Sequence, residues 1–193
     1  MRIGGGTAKQ RRLRAVPGLH VRPTSGWVRQ ALFNVLRGVI EDAIFVDLFA
    51  GTGSVGLEAL SYGARQVYFV EQDRQAVQVL RANIQHCAMT ARTMVVVGVL
   101  PQVLKKLGRH APMDVLFLDP PYATDLGEQT LQVLGRADLL APHGVVVWQH
   151  AARRRVPTHA LGLSLWQSRR YGDTQLSFYR PGPAVECATR QSM

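Results

Sequence analysis

Ile44-Phe45-Val46-Asp47-Leu48-Phe49-Ala50-Gly51-Thr52-Gly53-Ser54-Val55-Gly56 decides the fold of this chain. Its first five residues have the β-favouring, largely apolar composition of a buried strand. Gly-x-Gly-x-x-Gly then follows, where the pattern turns helical from Ser54 to Ser61. Glycines in that position predict a tight turn that delivers the chain from a strand into a helix. The alternation continues downstream. Strands are predicted over 66–70, 93–97, 114–118 and 145–149, and helices over 73–87, 101–107 and 126–137. The strands are near-continuous apolar runs, as expected when helices cover both faces of a parallel sheet.

The two ends of the chain read differently. Residues 163–170 and 174–180 are strand-like and joined only by Tyr171-Gly172-Asp173, a link so short that it requires an antiparallel hairpin. At the other end, Val28, Ala31, Leu32, Val35 and Leu36 form one apolar helical stripe, capped by Thr24 or Ser25 and ended by Gly38. Residues 1–23, glycine-rich and basic, read as irregular or a short hairpin, an arm rather than core. The expectation is one Rossmann-like α/β domain with a seven-stranded, mostly parallel sheet and an antiparallel C-terminal hairpin. Residues 1–40 are the basic arm and helix, 41–180 the domain, and 181–193 a flexible tail.

At 193 residues the chain can bury a substantial core. No apolar run approaches the ~20 residues of a membrane span, and the start lacks the apolar stretch of a signal peptide. Cys87 and Cys187 fit reduced thiols, although a disulfide between them stays open. The cytoplasm is the expected compartment.

The net charge of +10 is unevenly spread. Residues 1–40 hold eight Arg or Lys and no acid, residues 41–150 hold eight against eleven acids, and residues 151–180 return to six Arg against one Asp. Basic flanks around a near-neutral body suit a polyanionic partner, with a merely solvated surface as the other reading.

Two motifs carry chemistry. The first is the glycine loop with Glu71, which lies 24 residues beyond Asp47. Together they match a dinucleotide-binding fingerprint, so a nicotinamide enzyme is a real candidate. Asp47 opposes it, because a carboxylate beside the loop would repel a pyrophosphate. It suits a cationic ligand without phosphates, such as the sulfonium and amino-acid portion of S-adenosylmethionine. A structural role for Asp47, bonded to loop amides, stays open.

The second is Phe117-Leu118-Asp119-Pro120-Pro121-Tyr122. Prolines end the strand and stiffen the turn, at the edge of the sheet where open α/β folds bind ligands. A carboxylate, a free carbonyl and an aromatic face at that edge suit a planar group bearing an exocyclic NH2. An ordinary strand-ending turn remains the bland alternative.

The order Asp47-Leu48-Phe49-Ala50-Gly51-Thr52-Gly53, then Glu71, then Asp119-Pro120-Pro121-Tyr122 resembles the class I S-adenosylmethionine-dependent amino-methyltransferases. Gly18 to Thr24, with Val28-Arg29-Gln30-Ala31-Leu32-Phe33-Asn34, is similar to the N-terminal signature of the RsmD family. Ile3-Gly4-Gly5, Arg11-Arg12-Leu13 and Tyr171-Gly172-Asp173-Thr174 are similar too, so the likeness covers residues 2 to about 180.

That resemblance implies methylation of the exocyclic N2 of one guanine in bacterial 16S ribosomal RNA. It implies cofactor contacts at Asp47, Phe49, Ala50, Gly51, Thr52, Gly53, Glu71 and Gln72. Catalysis would fall to Asp119, Pro120, Pro121 and Tyr122, without a metal. RNA contacts are expected at Arg11, Arg12, Arg22, Arg29, Arg153 and Arg154, with an ion pair tying the arm to the body as the rival role for Arg22 and Arg29. The chain departs from the family in its short Gly6-Thr7-Ala8-Lys9-Gln10 run. It departs again at the apolar Gly98-Val99-Leu100, since relatives usually carry near Val99 a polar or acidic residue that can hold the adenine amine. Nothing here demands more than a monomer. Three alternatives remain: methylation of DNA adenine N6 or protein glutamine, nicotinamide chemistry, and a non-catalytic RNA-binding assembly factor.

Overall fold

The computed structural model describes residues 1–16 and 25–182. Gly18 to Thr24 of the N-terminal signature, with Arg22, and the expected tail beyond Gly182, with Cys187, lie outside the described residues.

Eight strands form one sheet in the order β3-β2-β1-β4-β5-β8-β7-β6. Strands β1 (Ile44–Leu48), β2 (Gln66–Glu71), β3 (Thr93–Val97), β4 (Met113–Leu118) and β5 (Leu140–Ala151) are parallel. Strands β8 (Thr174–Pro181), β7 (Leu163–Tyr171) and β6 (His159–Ala160) add antiparallel ladders at one edge. The sheet therefore has one strand more than the seven expected. The extra strand, β6, is two residues long, too short to leave any periodicity in the sequence. Strand order reverses between β1 and β4, and ligands bind beside such reversals in open α/β sheets.

Helices α1 (Gly26–Leu36), α2 (Ser54–Ser61) and α3 (Arg74–His86) pack on one face of the sheet, α4 (Leu126–Arg136) and a 3-10 segment Gln102–His110 on the other. Strand alternation divides the core between these faces. Phe45, Val67, Phe69, Val115, Phe117, Val145, Val147, Leu176 and Phe178 point to the α1 face, and Val46, Leu48, Tyr68, Val70, Leu116, Leu118, Val146, Trp148 and Tyr179 to the α4 face. Helix starts follow the cap rule: Ser25 Oγ accepts from Val28 N–H (3.2 Å) and Asp73 Oδ1 from Ala76 N–H (2.7 Å). Each such cap stabilises its helix by about 1 kcal/mol.

The N-terminus is a short hairpin, one of the two expected forms, but it is part of the core rather than an arm. Residues 1–13 form a short hairpin, bridged at Arg2 and Arg12, and Ile3, Ala8 and Leu13 are buried in the same core as α1 and α2. The glycine run makes this possible. Gly6 has φ +74°, and a Cβ on it would lie 1.8 Å from the Ser61 carbonyl oxygen. Only glycine allows that approach, which lets Thr7 N–H reach Ser61 O (2.9 Å) and Ala8 N–H reach Ser61 Oγ (2.8 Å). No break in packing marks residue 40. Among the described residues, no helix is long and apolar enough to cross a membrane.

Candidate active site

Asp47, Glu71 and Asp119 stand at or just past the carboxyl ends of β1, β2 and β4. Each follows the α1-facing parity of its strand: Phe45 to Asp47, Phe69 to Glu71, Phe117 to Asp119. Three neighbouring strands thus bring three carboxylates to one edge and one face. Asp47 is 1% exposed. Its Oδ2 accepts from Gly56 N–H (2.9 Å) in the first turn of α2. Burial lifts its pKa to about 8; the Gly56 hydrogen bond opposes the shift, and the Asp119 and Glu71 carboxylates add to it. An acidic edge of this kind favours a cation.

The glycine loop is fixed by hydrogen bonds to its neighbours. Ala50 N–H donates to Val70 O (2.9 Å), Gly53 N–H to Ala50 O (2.8 Å), and Asn83 Nδ2 to Thr52 O (2.9 Å). Asn83 also holds both the N–H and the carbonyl of Arg14, tying the N-terminal segment to the loop. Phe49, at φ +71°, is a bulky residue in the left-handed region, a conformation that costs about 1–3 kcal/mol and marks sites under functional constraint. Gly53, at φ +81°, is the N-cap residue just before α2. A Cβ there would lie 2.3 Å from Leu80, so the loop must lie flat against α3. A Cβ on Gly51 would meet nothing within 4 Å, which leaves the backbone there open to a ligand.

Glu71 is oriented by backbone amides: Oε2 accepts from Gly51 (2.7 Å), and Oε1 from Gln72 and Asp73 (both 2.8 Å). Oε2 keeps lone-pair capacity for a hydroxyl donor, whereas Oε1 already accepts twice. Val99 is exposed, and its carbonyl is engaged by Val103 N–H (2.9 Å). The loop backbone of Ala50 to Gly53, the open side of Gly51 and the three carboxylates fit the donor and acceptor set of a ribose-bearing sulfonium. They offer no cationic cradle for a pyrophosphate.

The Asp119–Asp125 turn is braced from several directions. Thr124 donates to Pro121 O through both Oγ1 (2.8 Å) and its N–H (3.1 Å). Tyr122 Oη meets Thr174 Oγ1 (3.3 Å) and accepts from Gln149 Nε2 (3.4 Å). Beneath the turn lie Trp148 and His150. His150 Nδ1 faces the Ala151 carbonyl (2.9 Å), which can only accept, so Nδ1 carries the proton and Nε2 accepts from Ser177 Oγ (2.8 Å). Burial holds His150 below the ordinary histidine range, which keeps that ring neutral.

Two of the expected RNA contacts are elsewhere engaged. Arg29 is 3% exposed: Nε donates to Glu58 Oε2 (2.9 Å) and Nη2 to Arg2 O (2.9 Å). It ties the N-terminal segment to α1 and α2, the rival role, and no phosphate can reach it. Arg154 donates to Thr124 O (2.8 Å) and Asp125 Oδ1 (2.9 Å) and lies over the Trp148 ring at 5.4 Å. It braces the turn from behind rather than projecting to solvent. Arg11, Arg12 and Arg153 are exposed, although Arg11 Nη1 also donates to His86 O (3.2 Å).

Three participants were not singled out from the sequence as site residues. Thr174 stood in Tyr171-Gly172-Asp173-Thr174 without a role. Gln149 carried a faint signal, a polar residue ending the apolar run Val145 to Trp148. His150, next to it, adjoins a turn 30 residues away in sequence, which periodicity cannot show.

The family model described as conserved hypothetical protein 95 matches residues 1–180. Among curated relatives, ribosomal RNA small subunit methyltransferase D from Escherichia coli K12 is 32% identical over 180 residues, covering 93% of this chain and 89% of that protein. The protein of the same name from Haemophilus influenzae is 33% identical over 147 residues, 76% of each. The solved structure of yhhF from Escherichia coli superposes with a TM-score of 0.80 at 32% identity, covering 94% of this chain and 97% of that one. A Thermus thermophilus protein of unassigned function gives 0.80 at 32% identity, over 93% and 99%. With a family model spanning nearly all described residues and relatives matched over most of their length, the chain belongs to the conserved hypothetical protein 95 family, the RsmD family of ribosomal RNA methyltransferases.

Proposed function

We propose that this protein transfers the methyl group of S-adenosylmethionine to the exocyclic N2 of a guanine in bacterial 16S ribosomal RNA, acting as a monomer. The observation that carries the reading is one edge of the sheet holding both an acidic cofactor cleft and a braced Asp-Pro-Pro-Tyr turn. Its relatives named for the small ribosomal subunit support the RNA substrate.

On this reading Gly51 to Gly53 and the oriented Glu71 hold the nucleoside of the cofactor, and Asp47 offsets its positive charge through the loop. The cofactor supplies an activated methyl on a cationic sulfur. The N2 lone pair of guanine is delocalised into the ring, so the amine is a weak nucleophile. Asp119 and the Pro120 carbonyl accept its two N–H bonds and favour the geometry in which that lone pair points away from the ring plane. Hydrogen bonds to a charged group contribute about 1.5–3 kcal/mol each. Tyr122 stacks on the base, worth about 1–3 kcal/mol. Its hydroxyl, held by Thr174 and Gln149, sets the ring plane. Nitrogen forms the new bond to carbon as the carbon–sulfur bond breaks, and the surplus proton leaves N2 to Asp119 or to water. Positioning supplies much of the rest. The target base must be unpaired or flipped to reach the edge.

Ribosomal RNA from a strain lacking the gene should lack one N2-methylguanosine. Wild-type protein should restore it, and Asp119→Ala, still binding RNA, should not. An unchanged nucleoside profile in the deletion strain would exclude this function.

A further inference from the structure

Trp27 is 71% exposed, the most exposed of the large hydrophobic side chains among the described residues. It is the second residue of α1, whose other large apolar residues are mostly buried. Its place follows from the topology. Residues 37–43 join α1 directly to the start of β1, so the helix returns antiparallel to that strand. Eleven helical residues rise about 16 Å, the length of a five-residue strand at roughly 3.3 Å per residue. The first turn of α1 therefore lies at the carboxyl edge of the sheet.

It also lies on the substrate side of that edge. α2 and α3 cover β1, β2 and β3, and the remaining α1-face residues of β4, β5 and β8 share a core with Val28, Leu32 and Leu36. Gln149 pairs with Leu176, and Thr174 has the parity of Leu176 and Phe178, so both residues that hold Tyr122 sit on the α1 face. Arg169, exposed and paired with Leu176, shares that face near the hairpin turn. Arg153, exposed, follows β5 at the same edge. An accessible aromatic ring on the same edge as cationic side chains is a combination by which proteins hold single-stranded nucleic acid.

We propose that Trp27 is a stacking platform for an unpaired nucleotide flanking the target guanine, so that RNA enters the site across the first turn of α1. This rests on the RNA substrate proposed above and adds the side of approach. The indole takes no part in methyl transfer.

The test uses the full chain with Trp27→Ala and Trp27→Phe, and protein-free 16S ribosomal RNA as the probe. Trp27→Ala should weaken RNA binding by roughly 5- to 150-fold. Trp27→Phe should stay within about threefold of wild type, since every aromatic ring offers a stacking face. Affinity for S-adenosylmethionine and the unfolding midpoint should be unchanged in both. Indole fluorescence should be quenched by RNA more in the wild type than in Trp27→Phe, because Trp148 is buried and any quenching that persists in the variant comes from Trp166, 47% exposed beneath Arg180. Wild-type affinity in Trp27→Ala would overturn the proposal. So would equal losses in both variants, or a loss seen with assembled subunits but not with protein-free RNA, which would assign Trp27 to a ribosomal protein. A wild-type protein that methylates no RNA while binding cofactor would overturn the parent reading instead.

Discussion

Arg29 offers the sharpest separation between a structural and an RNA-binding role. It and Glu58 are almost wholly buried, with side-chain exposures of 4% and 1%. Nε donates to Glu58 Oε2 at 2.9 Å, while Nη2 holds the Arg2 carbonyl. Arg29→Ala would leave the Glu58 carboxylate buried without its cation and release the N-terminal hairpin from α1. Removing one partner of a buried pair costs about 3–5 kcal/mol. For a chain of this length each kcal/mol lowers the midpoint by about 2–4 °C, so Arg29→Ala should unfold roughly 6–20 °C below wild type. The double variant Arg29→Met with Glu58→Leu removes both charges and should recover most of that loss, because apolar replacements of a buried pair are often neutral. Thermal unfolding followed by circular dichroism reads both. An Arg29→Ala protein as stable as wild type, with weakened RNA binding, would refute the structural role.

Other residues yield comparable tests. Asp47 has its folded pKa raised from 3.8 to about 8, so its contribution to stability is fully present below the lower value and is lost as pH rises through the upper one. A bound sulfonium favours the carboxylate. Affinity for S-adenosylmethionine should therefore rise with pH across that window, with proton release near neutrality that calorimetry in different buffers can count. Asp47→Asn should remove the release. Thr174→Val deletes a hydrogen bond to Tyr122 worth about 0.5–1.5 kcal/mol, so kcat should fall roughly 2- to 12-fold with KM for RNA little changed. A rise in KM alone would contradict the positioning role. Gly127→Ala places a Cβ 2.5 Å from the Trp148 ring and should destabilise by about 1–3 kcal/mol, measured by urea unfolding.

Much of the fold could be read from local pattern. Strands β1 and β3 and helix α2 run over the residues that periodicity predicts, and the short Tyr171-to-Asp173 link does require a hairpin. These elements were legible because each buries its apolar residues at its own period. Arg29 carried two readings, RNA contact and an ion pair to the body, and its position favours the second. Leu32, Phe33 and Leu36 follow it at i+3, i+4 and i+7, so a residue at 29 lies within the apolar stripe and needs a buried partner. Glu58, amid Leu57, Ala59 and Leu60, was that partner on another helix. Arg154 shows the opposite limit. In Arg153-Arg154-Arg155 nothing local distinguishes the middle side chain, and only the meeting of β5 with the start of α4 turns it inward to Thr124 and Asp125. The residues that brace Tyr122 were hidden for the same reason, being set by strand register rather than by spacing along the chain.

The most direct test of the central claim is transfer of labelled methyl from S-adenosylmethionine to small ribosomal subunits taken from a strain lacking this gene, followed by digestion to nucleosides. The account predicts label in N2-methylguanosine from 16S RNA, and none when Asp119 is replaced by Ala. Label in another nucleoside or in protein, or none at all while the cofactor binds, would contradict it.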